Sequence, residues 1–309
     1  MNTNTPNSPS EMIEHNKVNL TIGGYTLHPL PTGLFALDGG AMFGSVPKVI
    51  WQKTNPTDEL NRIQMEARAL LLKSKDRCIV IDTGNGSDFL VKYGEKLGPQ
   101  FAKMYAIDQN GPSLLKSLEK YQVKPEDVTD VILTHLHFDH AGGSTTEIEK
   151  KLKPTFPKAR YHLQKSNLLT AQTPNRRERA SYFKANFEPL IEYNCLQLID
   201  GDQHDYLPHI SVVVSNGHTQ GHQMVKIADE TQQLIYCGDV IPTSTHIRLA
   251  WGMGYDLNPL LLMEEKEKLL ESVLNKKTYL FFEHDPYCDL ATIAQDKQDF
   301  KVVERFWLA

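Results

Sequence analysis

Apolar and polar residues alternate over residues 18–30 on either side of Gly23-Gly24, the period of a half-buried strand that folds back at a turn. Residues 67–72 and 78–81 bracket a polar, turn-forming stretch at 73–77 and predict a second hairpin. Leu114, Leu115, Leu118 and Tyr121 then recur at helical spacing behind Pro112 and Ser113, and Lys124-Pro125 closes that helix. A short buried strand follows at 131–133. Further along, residues 178–193 read as a helix and 210–214 as a β-branched strand, while 222–227 and 234–237 form a hairpin around 228–231. Asn258-Pro259 is an N-cap and first-turn pair for a helix reaching about residue 275, with Leu262, Leu269, Leu270 and Val273 on its inner face. Residues 278–282 complete the core as a last strand. Groups of strands alternate with single helices in both halves, which favours two sheets with helices outside over a doubly wound parallel sheet. No linker or short repeat interrupts the pattern. The expectation is one domain over residues 18–309, preceded by a flexible polar arm at 1–17.

Composition narrows the class. Of 309 residues 40% are hydrophobic and 23% charged, the balance of a soluble globular protein. Lys and Arg total 33 against 38 Asp and Glu, a net charge of −5, which argues against nucleic acid as a partner. No apolar run approaches the roughly 18 to 20 residues that span a bilayer, and the arm has no apolar core of a signal peptide, so a cytoplasmic protein is expected. Cys78, Cys195, Cys237 and Cys288 are far apart and read as buried small hydrophobes. The excess lies in histidine, with 12, a residue whose main uses are proton and metal chemistry.

Three of those histidines and one aspartate fall within six positions, His135-Leu136-His137-Phe138-Asp139-His140. By composition, such an H-x-H-x-D-H run arises by chance in on the order of one chain in a thousand. In an extended stretch His135 and His137 point to one side, while Asp139 and His140 on the following turn can face a second point nearby. His218 lies in a glycine-bounded loop after the strand at 210–214. Asp239 follows the strand at 234–237 and His284 the one at 278–282, so all these residues sit where a strand gives way to a loop, on one rim.

The order His135, His137, Asp139, His140, His218, Asp239, His284 resembles the metallo-β-lactamase superfamily in its dinuclear hydrolase branch. The resemblance implies an α+β fold, the four-layered αβ/βα sandwich. It places His135, His137 and His218 on one metal, Asp139, His140 and His284 on the other, and Asp239 between both. Ile81-Asp82-Thr83-Gly84 matches an early motif of the family in which the aspartate orients a metal-bound imidazole, and His222 is read as a supporting donor in the turn after His218. The implied cofactor is two Zn2+, with Mn, Fe or Co as alternatives for the same nitrogen and oxygen ligands. Such a pair generates a metal-bridged hydroxide near pH 7 from a shared water, with Asp139 or Asp239 passing a proton.

Within the superfamily, His140 stands where true class B β-lactamases usually carry arginine, and His137 where flavodiiron reductases use glutamate. Residues 38–48, with Trp51 behind, are similar to the N-terminal loop of quorum-quenching lactonases and organophosphate hydrolases, as are residues 239–243 and 251–256. The resemblance therefore implies opening of the lactone ring of N-acyl homoserine lactones. A phosphotriester, ester or thioester hydrolase of the same fold is the second reading, and a metal-stabilised sensor or binding module the non-enzymatic one. Met42, Phe43, Trp51, Phe138, Trp251 and Met253 are expected to wall an apolar substrate cleft. An exposed edge at Met42 and Phe43 would also serve a homodimer. Many such lactonases carry a tyrosine three residues after the bridging aspartate; here that position is Pro242, so Tyr255, His246 or Thr243 is expected to supply the donor, with Tyr255 first. His15, His28, His162, His204 and His209 are read as ordinary, and Asp88, Asp205 and Glu283 as surface charges or caps.

Overall fold

The computed structural model describes residues 16–309, so most of the expected arm lies outside the described residues. Its last residues are in a sheet: Lys17–Val18 (β1) pairs in parallel with Asp299–Leu308 at the far end of the chain, Lys17 opposite Trp307. The intervening strands are β2 (Leu20–Ile22), β3 (Tyr25–Asp38), β4 (Arg62–Lys73), β5 (Cys78–Ile81), β6 (Asp130–Ile132), β7 (Thr145–Ile148), β8 (Lys151–Pro154) and β9 (Arg160–Gln164). The second half supplies β10 (Leu196–Ile199), β11 (Gln203–Leu207), β12 (Ile210–Ser215), β13 (His222–Ala228), β14 (Gln232–Tyr236), β15 (Lys277–Phe281), β16 (Leu290–Asp296) and β17 (Asp299–Leu308).

Among the described residues, one sheet has the order β10-β9-β6-β5-β4-β3-β2 and the other β1-β17-β16-β15-β14-β13-β12-β11. The three hairpins that alternation predicts are the antiparallel pairs β2–β3, β4–β5 and β13–β14. The sheets meet face to face. Leu27, Leu70, Leu72, Ile79 and Ile81 of one are buried against Val212, Val225, Ile227, Leu234 and Phe281 of the other. Removing each such side chain from water contributes about 1.5–3 kcal/mol. On the outer face of the first sheet, helices Leu114–Lys120, Lys165–Gln172 and Glu188–Glu192 bury Leu114, Leu118, Leu168 and Leu190 against Val80 and Val131. Helix Pro259–Val273 covers the second sheet with Leu262, Leu270 and Val273 over Ile235 and Leu280. The result is the α+β sandwich with layers helix, sheet, sheet, helix.

Two expectations are corrected. Residues 178–193 hold only a 3-10 turn at Lys184–Asn186 and a short helix at Glu188–Glu192. Pro189 has no N–H, which suits a helix's first turn, and the short helix starts beside it at Glu188. Asn258 occupies the N-cap position, but its side-chain amide donates to the Asn216 carbonyl at 3.1 Å and caps nothing. The inner face of that helix also holds Lys266, buried, whose ammonium donates to the carbonyls of His246, Arg248 and Trp251 at 3.1, 2.9 and 2.8 Å. A lysine is tolerated there because all three donors are matched. Cys195, Cys237 and Cys288 are buried free thiols, and Cys78 is half-buried.

Candidate metal centre

The chemistry-bearing residues cluster at one edge of the sandwich, beyond strand ends. After β6, residues 133–137 leave the sheet through bends at Thr134 and His137, and the short helix Phe138–Ala141 turns Asp139 and His140 inward. His218 follows β12, Asp239 sits in the 3-10 turn Gly238–Val240 after β14, and His284 lies just beyond β15. Gly238 is required at its place: φ is +50°, and a Cβ there would lie 2.5 Å from His222 Nε2.

Two groups of ligand-type atoms result, each with its members within 4.8 Å of one another and all buried: His135, His137, His218 and Asp239, and Asp139, His140 and His284. Asp239 lies between them. One of its oxygens is 3.1 Å from His218 Nε2 and 3.5 Å from His140 Nε2, the other 3.2 Å from His284 Nε2. Ring nitrogens face each other at 3.2 Å between His137 and His218, and again between His140 and His284. His135 Nε2 and His137 Nε2 are buried without a hydrogen-bond partner, an arrangement that is unfavourable unless something accepts their lone pairs. The donor set, imidazole nitrogen and carboxylate oxygen, fits two divalent transition ions.

The electrostatics follow from burial and from Asp239. Burial drives His135 and His137 below the ordinary imidazole range. It acts the same way on His218 and His284, but the Asp239 carboxylate overrides it and lifts them to about 10 and about 9. Asp239 in turn is held well below its usual range: burial opposes this, and His140, His218 and His284 outweigh it.

The rings are aimed by a second layer. Asp82 accepts from the Thr134 N–H at 2.6 Å and its hydroxyl at 2.7 Å, and lies 3.1 Å from His140 Nδ1. His284 Nδ1 donates to the Glu66 carbonyl at 2.9 Å. His222 Nε2 accepts the Asp239 N–H at 3.1 Å, so it holds the loop of Asp239 and does not donate to a ligand. Three groups that sequence reasoning missed belong here. Asp256 lies 2.9 Å from His218 Nδ1 while its other oxygen accepts the Met253 N–H at 2.7 Å. Glu283, expected at the surface, is buried 2.9 Å from His140 Nδ1, and burial raises its carboxyl to about 8. Glu178 lies 3.9 Å from His137 Nε2 and accepts from the Thr219 hydroxyl at 2.7 Å. Asp82, His140 and Glu283 meet at His140 Nδ1, the nitrogen turned away from His284, so this trio anchors the ring. Residues that orient a metal-bound imidazole typically matter 10- to 100-fold, and Asp256→Ala is expected to weaken metal binding by about that factor. Competition against a chromophoric chelator measures it; unchanged affinity would remove Asp256 from this role.

A cavity of about 260 Å³ opens over both groups. Asp139, Asp239, His137, His218 and His284 form its polar side, and Leu37, Met42, Phe138 and Met253 its apolar wall, with Tyr105, Arg177, Glu178 and Tyr255 also lining it. Phe43, Trp51, Trp251 and His246 do not line it and are corrected here. Phe43 stacks between Trp51 and His246 at centroid distances of 5.0 and 4.7 Å, with the Trp251 edge at 5.8 Å, as the layer behind the wall. Gly39 permits this, because a Cβ there would lie 2.4 Å from the Trp51 ring. His246 donates to the Met42 carbonyl at 2.8 Å and pairs with Thr243 at 2.7 Å, so neither is free to meet a substrate. Met42 and Phe43 are buried and offer no edge to a second copy; the exposed apolar residues nearby are Val49 and Ile50.

Three comparisons bear on this arrangement. The sequence pattern of the metallo-beta-lactamase superfamily matches residues 66–284. An N-acyl homoserine lactonase of Bacillus cereus is 27% identical over 233 residues, 73% of this chain and 83% of the relative. The crystal structure of a probable metal-dependent hydrolase from Staphylococcus aureus superposes with a TM-score of 0.81 at 27% identity, covering 93% of this chain and 99% of that one. AidC, a dizinc quorum-quenching lactonase solved with a product, shares the fold at a TM-score of 0.74 and 23% identity, over 95% and 99% of the two chains.

Proposed function

Because the chain belongs to the metallo-beta-lactamase superfamily and is a metal-dependent hydrolase of that fold, we propose that it opens the lactone ring of N-acyl homoserine lactones. The observation that carries this reading is the cavity: two ligand groups sharing Asp239 on one side, and Leu37, Met42, Phe138 and Met253 on the other. A polar ring with a carbonyl suits the first side and an acyl chain the second. The 27% identity to a lactonase over most of the chain supports the same class.

His135, His137 and His218 would hold one ion, Asp139, His140 and His284 the other, with Asp239 shared and zinc favoured by the ligand set. When bound, such a pair polarises the substrate carbonyl and makes water acidic enough to ionise near neutral pH. Ring opening adds one water across the ring C–O bond: its oxygen ends on the carbonyl carbon, and the ring oxygen leaves as a hydroxyl after taking a proton. Asp139, which lines the cavity with its carboxylate 3.8 Å from His284 Nε2, is placed to carry that proton. Tyr255 lines the cavity but is 39% exposed at its rim, so in place of the carbonyl-donor role expected of it, its hydroxyl would hold the acyl-amide end of the substrate. Initial rates of zinc-loaded protein on a short- and a long-chain acyl lactone, a phosphotriester and a thioester test this. The lactones should exceed the others at least tenfold in kcat/KM. A faster phosphotriester or thioester would replace the reading, and no turnover of any would leave a binding module.

A further inference from the structure

Attack on a lactone carbonyl places negative charge on its oxygen, and a fixed donor aimed at that oxygen is worth on the order of 100-fold in rate. The position three residues past Asp239 is Pro242, which has no donor and whose carbonyl instead accepts the His284 N–H at 3.1 Å. Thr243 and His246 are engaged with each other and with backbone. Arg177 lines the cavity, but its guanidinium binds the Gly254 carbonyl at the exposed mouth.

We propose that Tyr105, at the end of helix Gly94–Met104, is a catalytic residue whose hydroxyl donates to the lactone carbonyl oxygen as it gains charge, an assignment that rests on the lactonase reading above. Its ring lines the cavity and is locked between Phe101 and Phe138, at centroid distances of 4.8 and 4.9 Å. The backbone beneath is clamped as well: its N–H donates to the Phe101 carbonyl at 3.0 Å, and its carbonyl accepts from Ala36 at 2.6 Å. His137 and Asp139, two candidate ligands on either side of Phe138 in the chain, line the same cavity as Tyr105. A phenol is protonated at neutral pH, so the hydroxyl is a donor there. A donor held rigid before substrate arrives needs no reorganisation during reaction, which is the property that makes such groups effective. Tyr255 lines the same cavity but stands at its solvent-exposed rim. Binding and rate enhancement are thereby divided between two tyrosines.

The test is a pair of single variants, Tyr105→Phe and Tyr255→Phe, assayed on N-hexanoyl homoserine lactone with metal content and thermal midpoint recorded for each. Tyr105→Phe should keep two metals and the wild-type midpoint, lower kcat by about 10- to 100-fold and leave KM within threefold. Tyr255→Phe should instead raise KM, with kcat little changed. Calorimetric affinity for the product, N-hexanoyl homoserine, should fall in the Tyr255 variant and not in the Tyr105 variant. Unchanged kcat in Tyr105→Phe, or a loss confined to KM, overturns the assignment. Failure of the lactonase reading shows differently, as a wild-type protein that opens no acyl lactone; the same kcat and KM comparison on the ester it does cleave then decides Tyr105.

Discussion

Removing metal with a chelator is expected to abolish hydrolysis and to lower the thermal midpoint by on the order of 10 °C relative to protein with metal at 1,000 times its Kd, since binding at that excess stabilises by about 4 kcal/mol. Five candidate ligand imidazoles and two carboxylates are buried at this edge, and His135 Nε2 and His137 Nε2 have no partner of their own. Without cations, the buried charge of Asp239 is balanced by protons on His218 and His284, which is why burial fails to depress those rings and they rise to about 10 and about 9. A ligand must be deprotonated, so metal entry at pH 7 displaces these protons. The sign is therefore fixed: rings whose metal-free pKa is raised compete with metal below that pKa, and apparent affinity should climb with pH up to about 9 to 10. Calorimetric titration of zinc into stripped protein in two buffers of different ionisation heat counts the protons. Release of at least one proton at pH 7 is expected. A midpoint indifferent to metal, or no proton release, would contradict the site.

The largest stability effect of a single substitution is expected at Arg68, where Arg68→Met should lose about 3–5 kcal/mol, the usual result of removing one partner from a buried ion pair. Arg68 is fully buried in β4, with Nε 2.8 Å from Asp289 and a second contact to Glu66. Its remaining nitrogen donates to the carbonyls of Phe282 and Asp285 at 2.9 and 3.0 Å. Methionine would leave Glu66 and Asp289 without a counter-charge and the carbonyls of Phe282, Asp285 and Cys288 without this donor. Burial already pushes both carboxyls upward, with Arg68 as the opposing influence. The carbonyls it holds flank His284, so the variant should release metal from the His284 group before the other. Urea denaturation with and without zinc, together with metal stoichiometry, reads both effects. Arg68→Lys keeps the charge and loses the fork, so its loss should be smaller. A Met variant within 1 kcal/mol of wild type would show that the sheets do not depend on this clamp.

The three hairpins and the cluster from His135 to His140 were legible because each depends on local order, whereas His218, Asp239 and His284 were joined to that cluster by their strand-end positions and by the family resemblance. Metal ligation needs particular side chains at fixed short spacings, as in His135 to His140, and an antiparallel hairpin needs a period of two around a turn. Asp82 was legible through the family motif that residues 81–84 match. Asp256 was not: it reaches His218 only because the loop before helix Pro259–Val273 returns across the end of β12, and no periodicity encodes that path. Glu283 looked like a surface acid because its neighbours in sequence do not reveal that His140, 143 residues earlier, faces it.

The wall of the cavity shows the same limit. An apolar residue is recorded in the sequence as apolar, and Met42 and Phe43, adjacent in the chain, are equally removed from water. Only packing decided that Met42 lines the cleft while Phe43 turns away between Trp51 and His246. The helix expected at 178–193 failed because Pro189 divides it and because Glu178 and Tyr182 turn toward His137 instead of following a helical face. By itself, then, the sequence determined which residues can hold metal and which strands present them, since spacing and alternation are properties of neighbours along the chain. Tertiary structure alone decided which acids orient the rings, which aromatics line the cleft, and that Tyr105 reaches it, because those depend on where distant loops cross.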